Sequence, residues 1–555
     1  MDDPSKVEDE RLPTASDGQE DHASESNVPS DTLTSETSPT PKRTKLIDLH
    51  RPTWVLVLVL AWPVLAQQVL ILTVQISDRF LAGNYQAVPK EQQIQALGHH
   101  VNAVGQIGMA ANGNGLAGAV SAQVPLTTSA KIMSKQAAIQ AAQTNAFYFG
   151  WFLNSTAILV TVGSQALVAR SIGARKMSDA VHYTNQAMLM AAVFGAVISV
   201  LGVWFVADLV SLLRLKGMAA EFAVAYMTPI FALFAFEVVQ LAGLACLVGA
   251  GDTRMTLWVT GAVAVLNVPF SFALCLGWPP FPRMGYVGIA LGTGLSQMLG
   301  GIAVLIALVC GRFGLTLRWS LLRPDFQKIR KLLRISVPAG IDSLSMLLGQ
   351  FWFLSIVNQL GSVAGSAHGI AIGWEALGFL SGIAIGTAGM TLVGQNLGAG
   401  NPERAARSGW MTFAIGCTTM TVMGMVFYIL ARPMFLLFCP HPSQQPIVEM
   451  GIPVLQLIAF AMPPLASAII FTHILRGVGD TTFPVLCTWV GFLLVRIPLA
   501  YWLALPEFSV WPFGTISGLG LGLYGAWLAM FADLVLRGPL FLARYASGRW
   551  KKVRL

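Results

Sequence analysis

One layout is written twice in this chain. Leu392 to Ala406 reads Leu-Val-Gly-Gln-Asn-Leu-Gly-Ala-Gly-Asn-Pro-Glu-Arg-Ala-Ala, and the stretch from Leu167 reads Leu-Val-Ala-Arg-Ser-Ile-Gly-Ala-Arg-Lys-Met-Ser-Asp-Ala. Each closes a long apolar run with small residues and a glycine, Gly173 or Gly398, followed by polar and basic residues. Glycine ends a helix at little cost because it tolerates the left-handed backbone of a C-cap, so both glycines are expected in that role. A second pair follows: Gly249-Ala250-Gly251-Asp252-Thr253 and Gly477-Val478-Gly479-Asp480-Thr481. Leu167 and Leu392 are 225 positions apart, Gly249 and Gly477 are 228 apart. Two independent signals with nearly one period mark a duplication, which restricts the fold more than any single motif.

The repeated unit belongs in a membrane. With 54% hydrophobic residues, 11% charged and a Lys/Arg excess giving +8, the chain is more apolar and far less charged than soluble proteins, which average roughly 25% charged. Eleven of the 27 acidic residues fall in the first 36 positions, so the body is nearly empty of carboxylates and each one there needs a reason. The basic residues sit in short loops between apolar runs, where they orient a membrane protein; nucleic acid is not an expected partner. Cys246, Cys275, Cys310, Cys417, Cys439 and Cys487 are scattered singly, with no metal-ligand spacing. No metal site is expected.

Residues 1–46 are rich in Asp, Glu, Ser, Thr and Pro and read as a disordered acidic tail. No signal peptide precedes the first apolar run, so that run is expected to remain as a span. A hydrocarbon core of about 30 Å needs about 20 apolar residues in a helix. Runs that qualify lie at approximately 54–81, 140–172, 182–207, 219–248, 255–277 and 285–311, then 333–358, 363–397, 405–430, 446–475, 483–505 and 516–543. The loops on one side carry Arg170, Arg175, Lys176, Arg254, the cluster from Arg312 to Arg334, Arg404, Arg407 and Arg476, and the tail adds Arg544 to Arg554. The positive-inside rule makes that side cytoplasmic, with both termini there, in the cell (inner) membrane. Six spans per half start each half on the same side, so the repeats are parallel and related by an axis along the membrane normal.

The expected organisation is a first six-helix lobe at 47–311, a basic linker at 312–332, a second lobe at 333–545 and a basic tail at 546–555. The fold class is an all-α polytopic membrane protein with twelve transmembrane helices in two parallel-repeat lobes around a central cleft. An insertion at 84–138, rich in Gln, Asn, Ala and Gly and containing His99 and His100, interrupts the first lobe. It reads as an extracytoplasmic appendage; adjacent histidines point apart and no further ligand follows them. The linker is expected to lie along the membrane surface, anchored by its Lys and Arg.

The paired stretches at 167–180 and 392–405, the paired Gly-x-Gly-Asp-Thr turns and Ala-His-Gly-Ile-Ala at 367–371 resemble the multidrug and toxic compound extrusion (MATE) family over residues from about 50 to 545. The resemblance implies an antiporter of two six-helix lobes that exports organic, often cationic, compounds in exchange for protons or sodium ions. It implies no cofactor beyond the ion gradient, small-molecule substrates, and a monomer.

A carboxylate at membrane depth costs about 2.5–3.5 kcal/mol on insertion scales, so each invites a functional reading. Asp78, toward the outer end of the first span, matches an acid that the resemblance implicates in proton coupling, or else is an interfacial Asp paired with Arg79. A carboxylate in a low-dielectric cleft is costly to ionise, so it can take a proton on one side and release it on the other. Family members often carry a second Asp one turn beyond the Asn of the fifth helix; here Asn267 is followed by Ser271, a departure. Glu237 in span four either replaces that acid or is a hydrogen-bonded interior residue. Glu375 in span eight has Arg496 in span eleven as its natural buried partner, either as a permanent pair or as a switch that a cation or proton displaces. Asp342 lies near the cytoplasmic end, with Met346 at the place of the family's seventh-helix Glu. Asp533 and Arg537, four apart in span twelve, read as a helix ion pair. Met462-Pro463-Pro464 predicts a kink in span ten.

Two rival readings remain at this stage besides sodium coupling: a flippase for lipid-linked precursors, and a receptor that uses the insertion. An enzyme is not expected, because no paired nucleophile and base, phosphate loop or metal cluster occurs.

Overall fold

The computed structural model describes residues 51–84, 127–212, 217–510 and 514–553. The acidic tail and the insertion's 85–126, with His99 and His100, lie outside the described residues. Twelve helices long and apolar enough to cross a membrane follow in order. The first six are α1 (Thr53–Asn84), α2 (Thr127–Gly173), α3 (Met177–Leu212), α4 (Met218–Ala250), α5 (Thr253–Leu276) and α6 (Tyr286–Val309). The second six are α7 (Phe326–Gln359), α8 (Ser362–Gly398), α9 (Pro402–Leu436), α10 (Gln445–Val478), α11 (Thr482–Ala504) and α12 (Gly522–Ala546). A small hairpin, β1 (Glu507–Val510) and β2 (Gly514–Ser517), joins α11 to α12 with Phe508 opposite Ile516. Helices satisfy every backbone group within the segment, which lipid demands; the chain is an all-α polytopic membrane protein.

The duplication governs the packing. In the first lobe α4 packs on α2, α3 and α6, α5 packs on α6, and α1 packs on α5. Adding six to each number reproduces the second lobe: α10 packs on α8, α9 and α12, α11 on α12, and α7 on α11. Across the lobes α1 meets α8, α7 meets α2, and α2 meets α8. That reciprocal exchange is a two-fold relation along the helices, so the repeats run parallel.

Gly173 and Gly398 differ from expectation. Neither has a left-handed backbone; the left-handed residues are Arg175, φ 57°, and Gly400, φ 73°, themselves 225 apart. Gly173 and Gly398 serve close approach instead. A Cβ on Gly173 would strike the Gln395 backbone, and one on Gly398 would strike the Arg170 backbone. Arg170 and Gln395 are repeat partners, so α2 and α8 cross on a self-complementary pair of glycine notches, the small-residue device by which membrane helices come together.

The Gly-x-Gly-Asp-Thr turns are left-handed at Gly251 and Gly479, as their C-cap role requires. In the first, Asp252 Oδ1 accepts from the Met255 N–H at 3.1 Å and opens α5; Asp480 provides no such cap. Both aspartates hold an arginine at the end of the sixth helix of their lobe: Asp252 takes Arg312, just past α6, at 2.6 Å, and Asp480 takes Arg544, in the last turn of α12, at 2.8 Å. This face of the molecule is called the basic end below.

Two other expectations change. The linker is shorter, because α7 starts at Phe326, where Asp325 Oδ1 accepts from the N–H groups of Gln327 and Lys328. Buried amides of α3 secure it: Asn185 donates to the Thr316 carbonyl, and Gln186 to those of Leu321 and Arg323. α2 reaches back to Thr127, into the stretch read as insertion. α11 carries an irregular segment that the sequence did not signal, a π-helical turn at Val490–Arg496, while α10 runs as one helix through Pro463 and Pro464.

Candidate functional site

The lobes meet in the basic-end half. Thr391 of α8 donates to the Val248 carbonyl of α4 at 3.2 Å, and Gln395 donates to the Gly249 carbonyl at 2.9 Å. Gln165 of α2 donates to Thr391 Oγ1 at 3.1 Å and to the Thr387 carbonyl at 3.3 Å. The Gly163 N–H donates to Ser336 Oγ of α7 at 2.9 Å. Added to the glycine crossing, these bonds seal the basic end. Toward the opposite face the walls part: added Cβ atoms on Gly150 of α2 and on Gly369 and Gly373 of α8 would meet open space.

Above the seal lies a chamber of about 220 Å³ lined by α1, α2, α4, α5 and Thr387 of α8. Its polar groups are Gln67, Gln68, Asn154, Thr161, Gln165, Thr256 and Thr387, all uncharged. Leu241, Leu244, Ala245 and Val248 give α4's contribution. Glu237 is one turn outward from Leu241 on that face, half-buried and with no hydrogen bond among the described residues.

Asp78 is buried behind this wall, 6% exposed. Its Oδ2 accepts from Thr293 Oγ1 of α6 at 2.8 Å, and Thr293 Oγ1 in turn accepts from Asn267 Nδ2 of α5 at 3.0 Å. Ser271 stands beside the same carboxylate and donates to the Ile289 carbonyl. Asp78 Oδ1 and Asn267 Oδ1 are buried without a partner. The fold thus assembles Asp78 and Asn267, with Ser271 where the acid of the family pattern is missing. Sequence reasoning did not find Thr293, because a threonine in an apolar helix commonly bonds its own backbone, as this one also does to Ile289. Glu237 is not joined to the group, and the Arg79 side chain lies outside the described residues.

The second lobe corrects the expected Glu375–Arg496 pair. Arg496 binds Asp533 instead, Nε at 2.9 Å and Nη2 at 2.7 Å to Oδ2, and Nη1 donates to Gln350 Oε1 at 3.0 Å. Arg537 binds the same carboxylate, with Nε to Oδ1 and Nη2 to Oδ2 each at 2.6 Å. Both guanidinium groups lie over Phe492, at 4.2 and 5.2 Å. Asp533 and Arg537 do pair, within a larger cluster. Glu375 is half-buried and in electrostatic range of Arg496 but forms no ion pair. The physical reason is burial: the Asp533 carboxylate is fully enclosed and meets Arg496 and Arg537 at hydrogen-bond distance, which commits the Arg496 guanidinium to α12. Asp342, 1% exposed, pairs with Arg476 at 2.5 Å near the basic end. His368 accepts at Nδ1 from Trp527 Nε1 at 3.1 Å. Among the described residues no cluster of His, Cys, Asp and Glu is arranged to hold a metal.

Comparison with known proteins places this architecture. The family model described as MatE matches residues 134–273 and 338–502, one block in each lobe. Over 406 residues the chain is 27% identical to the "Probable multidrug resistance protein NorM" of Thermotoga maritima, covering 72% of this chain and 83% of that relative. It is 24% identical over 399 residues to the "Uncharacterized transporter YisQ" of Bacillus subtilis, covering 70% and 83%. The fold is similar to that of a MOP superfamily transporter from Pyrococcus furiosus Vc1, TM-score 0.74 at 16% identity, covering 91% of this chain and 98% of that one. It is also similar to a multidrug resistance MATE family transporter in an outward-facing conformation, TM-score 0.72 at 16% identity, covering 90% and 97%. Twelve spans, two lobes that repeat each other's packing, and a family match over more than half of the chain have one meaning: the chain belongs to the multidrug and toxic compound extrusion family of efflux transporters.

Proposed function

We propose that the protein is a secondary active antiporter that exports organic, often cationic, compounds in exchange for protons by alternating access of its lobes. The observation that carries this reading is Asp78, a buried carboxylate held by one hydroxyl and with its second oxygen unpartnered. Such a group is costly to ionise and gains a proton readily where water reaches it. The positive-inside rule puts the basic end in the cytoplasm, with both termini there and the protein in the cell (inner) membrane as a monomer. The seal at Thr391, Gln395 and the glycine crossing then closes the cytoplasmic side while the cleft faces out. Protonation of Asp78 in that state removes a charge from the first lobe, and re-facing of the lobes carries the proton inward in return for substrate. Energy comes from the ion gradient, with no cofactor. Glu237, one turn beyond the chamber on α4, and Glu375 in the opposite lobe are the acids placed to attract a cationic substrate.

Sodium coupling is the second reading, and one observation favours it. Asp78 Oδ1, Asn267 Oδ1 and Thr293 Oγ1 are oxygens of one hydrogen-bonded group, and hard cations prefer oxygen ligands. The lipid-precursor reading is weaker, because Arg496 and Arg537, which a phosphate would need, are both engaged by Asp533.

The test is efflux of a fluorescent organic cation from inverted vesicles under separately imposed proton and sodium gradients, with wild type, Asp78→Asn and Glu375→Gln. A proton gradient alone is expected to drive wild-type transport, and Asp78→Asn to abolish it. Glu375→Gln is expected to weaken transport of cations more than of neutral compounds. Transport by the sodium gradient alone reassigns the ion, and unchanged transport in both variants removes the coupling role.

A further inference from the structure

We propose that Thr256, Thr260, Gln240 and Gln297 form a proton route through the interior of the first lobe, joining Asp78 to the chamber at the sealed end. The proposal rests on the proton-coupled reading above and adds the path to it. On α5, Thr256, Thr260 and Asn267 fall within about 40° of one another at 3.6 residues per turn and span about 16 Å of the axis. Gln240 reaches into the same seam from α4, and Gln297 lies one turn beyond Thr293 on α6.

Four observations converge on the seam. Thr256, Thr260 and Gln240 are 3%, 6% and 4% exposed. Thr256 Oγ1, Thr260 Oγ1, Gln240 Oε1 and Gln297 Oε1 are buried oxygens without a hydrogen-bond partner, as are Asp78 Oδ1 and Asn267 Oδ1. Buried polar groups are paired as a rule, and a row of oxygens that lacks protein partners suits a file of ordered water. Gly300 lets Gln240 into the seam: a Cβ there would occupy the place of the Gln240 amide oxygen and touch Val263. At the far end Thr256 lines the chamber.

The fold does not require this polarity. By the 228-residue offset of the paired turns, the second lobe has Ala468 where the first has Gln240 and Pro484 where it has Thr256, while Thr260 is matched by Thr488. Gly288 packs on the Leu274 backbone as Gly525 packs on that of Leu503, and the same 237-residue offset sets Leu534 against Gln297. Matched helices pack with apolar side chains at three of the four places and keep a buried threonine at the fourth, so the continuous polar row, with its two glutamines, is special to the first lobe.

In the proposed step the protonated Asp78 carboxyl gives its proton from Oδ1 to a neighbouring water. Each water in the file passes one proton on as it accepts the next. One proton arrives in the chamber and one carboxylate remains at Asp78. The lobe interior thereby delivers the proton to the chamber just above the seal, from which it leaves when the lobes re-face.

The experiment uses the full chain in liposomes that enclose a pH-sensitive dye and follows substrate-driven proton flux in wild type, Thr260→Val, Gln240→Leu and Thr260→Ser, with Asp78→Asn as the zero. Flux is expected to fall at least about tenfold in the Val and Leu variants, the scale of losing one positioned proton-transfer group. The affinity for a fluorescent substrate should stay as in wild type, and Thr260→Ser, which keeps the hydroxyl, should retain flux. Thr260→Val is nearly isosteric and carries the test alone if Gln240→Leu does not fold. Wild-type flux in the folded Val and Leu variants overturns the route and leaves proton coupling standing; absence of proton flux in wild type overturns both.

Discussion

Asp533→Leu is expected to destabilise the protein by about 3–5 kcal/mol, the range for removing one partner from a buried ion cluster. Asp533 is 0% exposed in its side chain and accepts from two arginines on two helices. Without it, Arg496 and Arg537 remain as two buried like charges, with Gln350 and the Phe492 ring as their nearest compensation. Glu375, in electrostatic range of Arg496 but unpaired, does not replace the lost contacts. The measurement is size-exclusion elution and chemical unfolding of detergent-solubilised protein. The triple replacement Arg496→Met, Asp533→Leu, Arg537→Leu is expected to recover folding, because an apolar cluster of similar volume removes the desolvation cost along with the charges. If the triple variant also transports normally, the cluster is a brace between α11 and α12. If it folds but does not transport, the cluster takes part in the cycle.

Replacing Gly398 by Leu is expected to give the largest functional loss without unfolding either lobe. The added side chain points into the Arg170 backbone of α2 at the helix crossing, so α2 and α8 must separate at the basic end. Overpacking of this kind costs typically about 1–3 kcal/mol, and a coupling energy of that size shifts a two-state equilibrium roughly 5- to 150-fold. The strain exists only while the lobes touch, so it falls on the sealed state and leaves the opposite state alone. Spin labels at Lys176 and Asn401, both exposed and on opposite sides of the crossing, should report a longer distance than in the parent, and efflux should be lost. Gly173→Leu should do the same through the backbone of Gln395, the repeat counterpart of Arg170. Unchanged distances with normal efflux would mean that the crossing does not control closure.

Both expectations come from features that the sequence exposes only in part. Gly398 was legible as a helix end but not as a contact. Its φ/ψ and its neighbour depend on where α2 passes, and the left-handed turn is taken two residues later by Gly400 and, in the first lobe, by Arg175. Arg496 was legible as a buried cation in need of an acid, yet Asp533, 37 residues on and already matched with Arg537, proved to be the acid. Asp78 and Asn267 were legible through the resemblance; Thr293, the hydroxyl that links them, was not. Glu237 and Glu375 occupy the expected helices, with no partner that would have singled them out.

What the sequence alone determined is the solvent, the number of spans, the duplication and the parallel sense of the halves. Run length against bilayer thickness, basic-loop bias and repeat spacing are properties of the linear chain. Only the tertiary structure decided which side chains face each other. In water a helix's polar face marks its outside, but in lipid the tails are as apolar as the core and nothing in the periodicity sets the rotation of a helix about its axis. That rotation is set by close packing, as at the glycine notches, and it decides that Asp533 takes Arg496 while Asp78 takes Thr293.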